Sequence, residues 1–188
     1  MVRDSARVLT ADDVLDLPVP DDAIGYEFVE GKPVPVMPAS VTHGQLAAKV
    51  SYRLSKHVEQ TGLTGTVCYD CGFVLGLPHD PERMRGPDVS YIAREKIAAH
   101  ADPHRLLRCV PDLAIEIDLT SAKKPGGQQR ILDYVEAGVP LVWVIDPRSR
   151  SAIAYRADGS ARLVRENEVL DAEEIVPGFR LPLAELFG

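Results

Sequence analysis

The sequence is poor in the features that would assign it at once to several large classes. It has three cysteines in 188 residues, too few for the multi-bridge framework of a small secreted scaffold. Cys68 and Cys71 sit in "CYDC" with Cys109 far downstream. No second Cys or His pair completes a four-ligand zinc spacing, so reduced thiols at edges or in the interior are expected. No apolar run approaches the ~20 residues of a membrane-crossing helix. The opening "MVRDSARVLTADD" lacks the apolar stretch of a secretory signal, and the cytoplasm is the expected compartment. Internal repeats, low-complexity tracts and long linkers are missing too, which predicts a single domain over residues 1–188. An excess of positive charge is also absent. The formal net charge of −7 disfavours broad, non-specific coating of nucleic acid. It does not exclude a nucleic-acid enzyme, because acids that hold a cation make a site negative.

What is present is a folding composition, with 45% hydrophobic and 26% charged residues. Thr10 followed by "ADDVLDLP" predicts a short capped helix stopped by Pro18. "YEFVEGKPVPV" predicts two strands around a turn at Gly31. From Thr42 to Gln60 the apolar residues Leu46, Val50, Leu54 and Val58 recur every four positions, and Gly62 follows as a stop. "GTVCYDCGFVLGL" predicts paired strands, and "DVSYIA" another after Pro87. "PDLAIEIDL" alternates apolar and polar residues at period two, as a strand with one wet face would. A helix from about Gln128 to Ala137 comes next, capped by Gly138, and then the fully apolar run "LVWVID". Strand, helix and buried strand in that order predict a parallel βαβ unit. "AIAYRADGSARLVR" predicts a hairpin across Asp158-Gly159. The sum is an α/β fold with a mixed sheet.

Several residues in this frame have chemistry to offer. Asp88 opens a strand behind Pro87, whose fixed φ makes the entry stiff. An aspartate there is often only a turn residue. Glu116 and Asp118 share one face of their strand, roughly 6.5–7 Å apart at Cα, and that face either meets water or holds something positive. With Asp88 they form a candidate carboxylate cluster for a hard cation such as Mg²⁺. On the long helix, Lys49, Arg53 and Lys56 form a stripe that is either a solvated flank or a phosphate-facing surface. His43 at the start of that helix points with its apolar face, as core or as part of a site. Lys123, Lys124 and Arg130 supply positive charge after the acidic strand.

"GPDVSYI", then "PDLAIEIDLTS", then "RILDYVEAGVPLVWVIDP" resembles the bacterial putative restriction endonuclease family of the PD-(D/E)XK nuclease superfamily. "YEFVEGKPVPVMPAS", "HGQLAAKV" and "VPGFRLPLAELF" fit the same pattern, so the resemblance runs from about Tyr26 to Phe187. It implies a restriction-endonuclease-like mixed β-sheet flanked by helices, with terminal β-hairpins. It also implies a divalent metal and phosphodiester hydrolysis. Asp88 matches the family's first acid and Glu116 its second. The superfamily's lysine two residues after that glutamate is Asp118 here. In this family the lysine is moved to the following helix, four residues before a tyrosine. That position is Arg130, four before Tyr134, so the charge survives but the residue type does not. Glu27 and His43 match recurrent positions near the family's site.

The expected function is therefore a Mg²⁺- or Mn²⁺-dependent nuclease acting on nucleic acid, DNA foremost. Asp88, Glu116 and the Ile117 carbonyl are the expected metal ligands, with Arg130 or Lys124 stabilising charge. The alternative is a catalytically impaired nuclease fold that binds nucleic acid or a protein. A homodimer is expected from the terminal hairpins, and no membrane association.

Overall fold

The computed structural model describes residues 8–99, 102, 105–117 and 126–188. A 3₁₀ turn over Ala11–Asp16 comes first, its start closed by reciprocal bonds between Thr10 and Asp13. The β1 (Gly25–Val29) and β2 (Lys32–Val36) strands form an antiparallel hairpin. Glu30 and Gly31 both adopt positive φ in its turn, the combination that matches the strands' twist. Helix α1 (Val41–Thr61) follows, then the strands β3 (Thr66–Tyr69), β4 (Phe73–Val74), β5 (Met84–Arg85) and β6 (Val89–Ile92). After α2 (Arg94–Ala98) come β7 (Leu113–Ile117), α3 (Gly127–Glu136) and β8 (Leu141–Asp146). The chain ends with β9 (Ser151–Arg156), β10 (Ala161–Arg165), β11 (Val169–Asp171), β12 (Arg180–Pro182) and α4 (Ala184–Phe187).

The main sheet has the order β10-β9-β8-β7-β6-β3, and a smaller one the order β2-β1-β5-β4. In the main sheet β7 and β8 are parallel while the other neighbours are antiparallel. The sheet is therefore mixed, with the expected α3 crossover at its centre. α1 covers one face. Leu46, Val50, Leu54 and Val58 pack with Leu113, Ile115, Ile117 and Trp143, and with the C-terminal Val176, Phe179 and Leu186. On the other face Tyr134, Val139, Ala114, Val142 and Val144 form a second core.

Three expectations change. β3 and β4 do not pair with each other: β3 joins β6, whereas β4 joins β5 in the smaller sheet. Positive φ at Asp70 turns the chain between them. β7 is not a half-wet strand, because every residue from Leu113 to Ile117 is buried; α3 and the smaller sheet cover the face that alternation assigns to water. The α1 stripe is not a phosphate surface. Lys49 Nζ donates to the carbonyls of Leu186 and Gly188, Arg53 pairs with Glu185, and Lys56 lies over the Tyr52 ring. Lys49 and Arg53 fasten the C-terminal segment to α1.

Leu54→Ala should cost about 2–5 kcal/mol by opening a cavity between α1 and the sheet. Tyr52→Ala, on the exposed side of the same helix, should stay within about 0.5 kcal/mol. Urea unfolding of both variants checks the assignment of faces, and equal effects would contradict it.

Candidate functional site

The antiparallel ladder between β6 and β7 pairs Tyr91 with Leu113, Ser90 with Ala114 and Val89 with Ile115. Continued by one step, the same register sets Asp88 directly across from Glu116. Opposed residues on neighbouring strands present their side chains on one face, about 4.5–5.5 Å apart at Cβ. Asp88 is held there by its own strand pair, since its Oδ2 accepts a 2.6 Å hydrogen bond from the Ile117 N–H. Ile117 thus enters the site through its backbone nitrogen. Two of the predicted acids therefore occupy facing backbone positions on neighbouring strands. Asp118 and Lys124 lie outside the described residues.

The face of β7 that carries Glu116 does hold something positive. α3 buries Gly127, Arg130, Asp133 and Tyr134 while leaving Leu132 exposed, so its charged side faces inward. Glu116 is 0% exposed. Its Oε1 accepts from Arg130 Nε at 3.2 Å, Arg130 Nη2 at 2.9 Å and the Tyr134 hydroxyl at 2.8 Å. Arg130 Nη1 also reaches Glu27 Oε1 at 2.5 Å, and its Nη2 donates to the Gly86 carbonyl at 2.9 Å. Burial works against the Arg130 charge, but Glu116 and Glu27 outweigh it and hold its pKa well above the ordinary value. Burial, reinforced by Glu116, likewise raises Tyr134 far above an ordinary phenol. Tyr134 therefore remains a donor to the carboxylate.

A second tier of charge supports the first. Glu27 Oε2 accepts from Arg85 Nη1 at 2.6 Å, and its Oε1 from the Gly86 N–H at 3.1 Å. Arg85 also grips Asp133 Oδ2 through Nε at 2.7 Å. Arg83 Nη1 approaches the same oxygen at 3.3 Å, while its Nε lies 2.9 Å from Asp80. Sequence reasoning passed over Arg83, Arg85 and Asp133. A signal existed: Arg83 and Arg85 stand two apart just before Asp88, and Asp133 falls one helical turn from Arg130.

His43 is buried at the start of α1, with Nε2 3.0 Å from Asp88 Oδ2 but without hydrogen-bond alignment. Its placement against an acid removes the core-only reading. Its Nδ1 has no hydrogen-bond partner among the described residues. Buried polar atoms seldom stay so. The ring lines a cavity of about 610 Å³ that Glu27, Arg85, Asp88 and Arg130 also line. Among the described residues no three His, Cys, Asp or Glu side chains surround a common point. Mg²⁺, however, typically takes one or two carboxylates and completes its shell with water. Asp88 and Glu116 at facing strand positions would suit that habit. Cys68 and Cys71 instead hydrogen-bond each other, which pulls the Cys71 thiol down to about 7 and pushes Cys68 up.

The fold is that of a crystallised protein described as a putative nuclease belonging to DUF820, from Anabaena variabilis. The TM-score is 0.75 at 18% identity, over 95% of this chain and 97% of the other. A search of curated proteins finds no match. Residues 11–184 match the family Uma2, putative restriction endonuclease. That match takes in β1, α1, the Asp88–Glu116 pair and α3, and the chain belongs to this nuclease family.

Proposed function

We propose that the chain is a divalent-metal-dependent nuclease that hydrolyses phosphodiester bonds, with DNA as its substrate. The observation that supports this most is the β6–β7 register, which one step further sets Asp88 across from Glu116, with the permanent cation Arg130 on that glutamate. Asp88 and Glu116 would hold Mg²⁺ or Mn²⁺, with the Ile117 carbonyl as a further hard oxygen. Such an ion supplies Lewis acidity toward the phosphoryl oxygen and the attacking water. Arg130 lines the cavity and offsets the negative charge that grows on the phosphoryl group. It keeps its proton, so the base must be another group. His43 lines the same cavity, its ring nitrogens in no aligned hydrogen bond among the described residues, and an imidazole there can serve as the base. The start of α1, where Ser40, Thr42 and His43 line the cavity, adds backbone N–H groups suited to a phosphate.

One observation favours a second reading, a nucleic-acid- or protein-binding module without turnover. Arg130 is engaged by Glu27, Glu116 and Gly86 at once, whereas a nuclease lysine would be free to follow the reaction.

Cleavage of plasmid and oligonucleotide DNA in Mg²⁺ and in Mn²⁺ separates the two. Asp88→Asn should lower cleavage by about 10² or more at an unchanged melting temperature, and Glu116→Gln should lower cleavage as far while also lowering the melting temperature, because it takes a carboxylate from the buried Arg130. A chelator should abolish cleavage and added Mn²⁺ restore it. Cleavage that survives both substitutions and the chelator would sink the proposal.

His43→Gln should slow cleavage about 10²–10⁴-fold. Unchanged cleavage would remove His43 as the base.

Arg130 has a structural role that its sequence position does not reveal. Arg130→Met leaves Glu27 and Glu116 buried without their shared cation, and should destabilise the fold by about 3–5 kcal/mol in urea unfolding. Arg130→Lys keeps the charge and is the informative variant for cleavage, which it should preserve or raise. A wild type that cuts nothing, with no gain in Arg130→Lys, would favour the binding module.

A further inference from the structure

The cavity beside Asp88 has two unlike halves. Charged groups, Glu27, Arg85, Asp88 and Arg130, make one part of its lining, and Ile24, Val34, Val36 and Met37 of the β1–β2 hairpin make another. Tyr69, at the end of the edge strand β3, completes the lining with its side chain 56% exposed. Among the described residues twelve large hydrophobic side chains are exposed, and four of them (Ile24, Val34, Met37 and Tyr69) border this one cavity. Scattered exposed hydrophobics are ordinary, but their convergence on one opening marks a binding surface.

Tyr69 is also fixed relative to the acids. It pairs with Val89 in the β3–β6 ladder, and the next residue, Asp70, donates its N–H to the Asp88 carbonyl at 3.4 Å. A flat ring is thus held one residue from the first acid. The cations of the lining contrast with it. Arg85 and Arg130 are bound to Glu27, Asp133 and Glu116, and the α1 cations Lys49 and Arg53 serve the C-terminus. Arg148 is a further positive member of the lining.

In a duplex the base faces are stacked and hidden, and the accessible surface is phosphate, sugar and groove edge. An apolar wall with an exposed tyrosine next to a phosphate-cleaving centre has no counterpart there. It does match an unstacked nucleotide, which offers a π-face beside its phosphate. The cavity, about 610 Å³, lies within the roughly 300–1,000 Å³ of sites that enclose a small ligand. Resting on the nuclease proposal, we infer that the substrate is an unpaired DNA strand, one base of which stacks on Tyr69 against the hairpin wall while its phosphate reaches Asp88.

Fluorescence anisotropy with a labelled single strand, and with the duplex of the same sequence, tests this in Mg²⁺. The Glu116→Gln background keeps the bound strand from being consumed. The single strand should bind at least about tenfold more tightly than the duplex. Tyr69→Ala should weaken single-strand binding by about fivefold or more, in line with the loss of one stacked base. Tyr69→Phe, which keeps the ring, should bind as the parent does. Cleavage by the otherwise wild-type chain should show the same order of substrates. Equal or tighter duplex binding, no binding of either form, or indifference to Tyr69→Ala would overturn the inference, and metal-dependent cleavage would still uphold the nuclease. A Tyr69-dependent preference for the single strand without any cleavage would uphold the ligand class and discard the nuclease.

Discussion

A guanidinium enclosed by two carboxylates and a carbonyl joins the parts of this structure that matter for chemistry. Arg130 comes from α3, Glu116 from the main sheet, Glu27 from the smaller sheet, and the Gly86 carbonyl from the entry to β6. Removing such charges from water is expensive, and their mutual attraction offsets that only when geometry and hydrogen bonding are good. Here the planar fork meets oxygens on three sides, an arrangement suited to arginine's divergent donors. A hydrophobic substitute would pack the same space without fixing the two sheets in register with each other. What the ion network adds is position.

Position propagates outward along alternating charges. Arg85 holds the far oxygen of Glu27 and, through Asp133, returns to α3 one turn from Arg130. Arg83 and Asp80 extend the chain, and the Glu30 N–H at the hairpin turn donates to Asp80 at 2.7 Å. The hairpin that walls the cavity is therefore tied to the helix that covers Glu116. Preorganised charge of this kind is effective because nothing needs to reorient when new negative charge enters. The apolar wall and the charged floor belong to one rigid frame.

The parts legible in the sequence are those with a period or a stop. Leu46, Val50, Leu54 and Val58 announce α1, Gly62 ends it with positive φ, and the uninterrupted apolar run of β8 requires cover on both faces. Asp88 and Glu116 could be singled out because each breaks or begins a strand pattern with a carboxylate. Their side-by-side register could not, because it depends on β6 and β7 being antiparallel neighbours. The same limit hid Asp133, which looks like an ordinary surface residue until α3 turns its charged side inward. "CYDCGF" misled for a local reason. Alternation predicts two strands, but a left-handed residue at Asp70 sends them into different sheets. Lys49 and Arg53 misled for a distant one, since their partners lie at the opposite end of the chain.

In the proposed nuclease, an arginine at position 130 in place of a lysine would divide the labour within this frame. An ammonium can lose a proton when its surroundings are apolar, and so can act both as charge and as base. Arg130 cannot, and two carboxylates drive it further from doing so. Tyr134 is held protonated by its burial and by Glu116. Glu116 Oε1 is already the acceptor for three donors, and Glu27 is bound on both oxygens. On the proposed mechanism, the fixed-charge function and the proton-transfer function would then sit on different residues. Among the described residues of the lining, His43 is the candidate for that second function, and it stands against Asp88 with Nε2 3.0 Å from Oδ2. A site built this way keeps its cation permanently in place and moves protons elsewhere, which makes the two strand carboxylates, rather than the helix cation, the hinge of any activity.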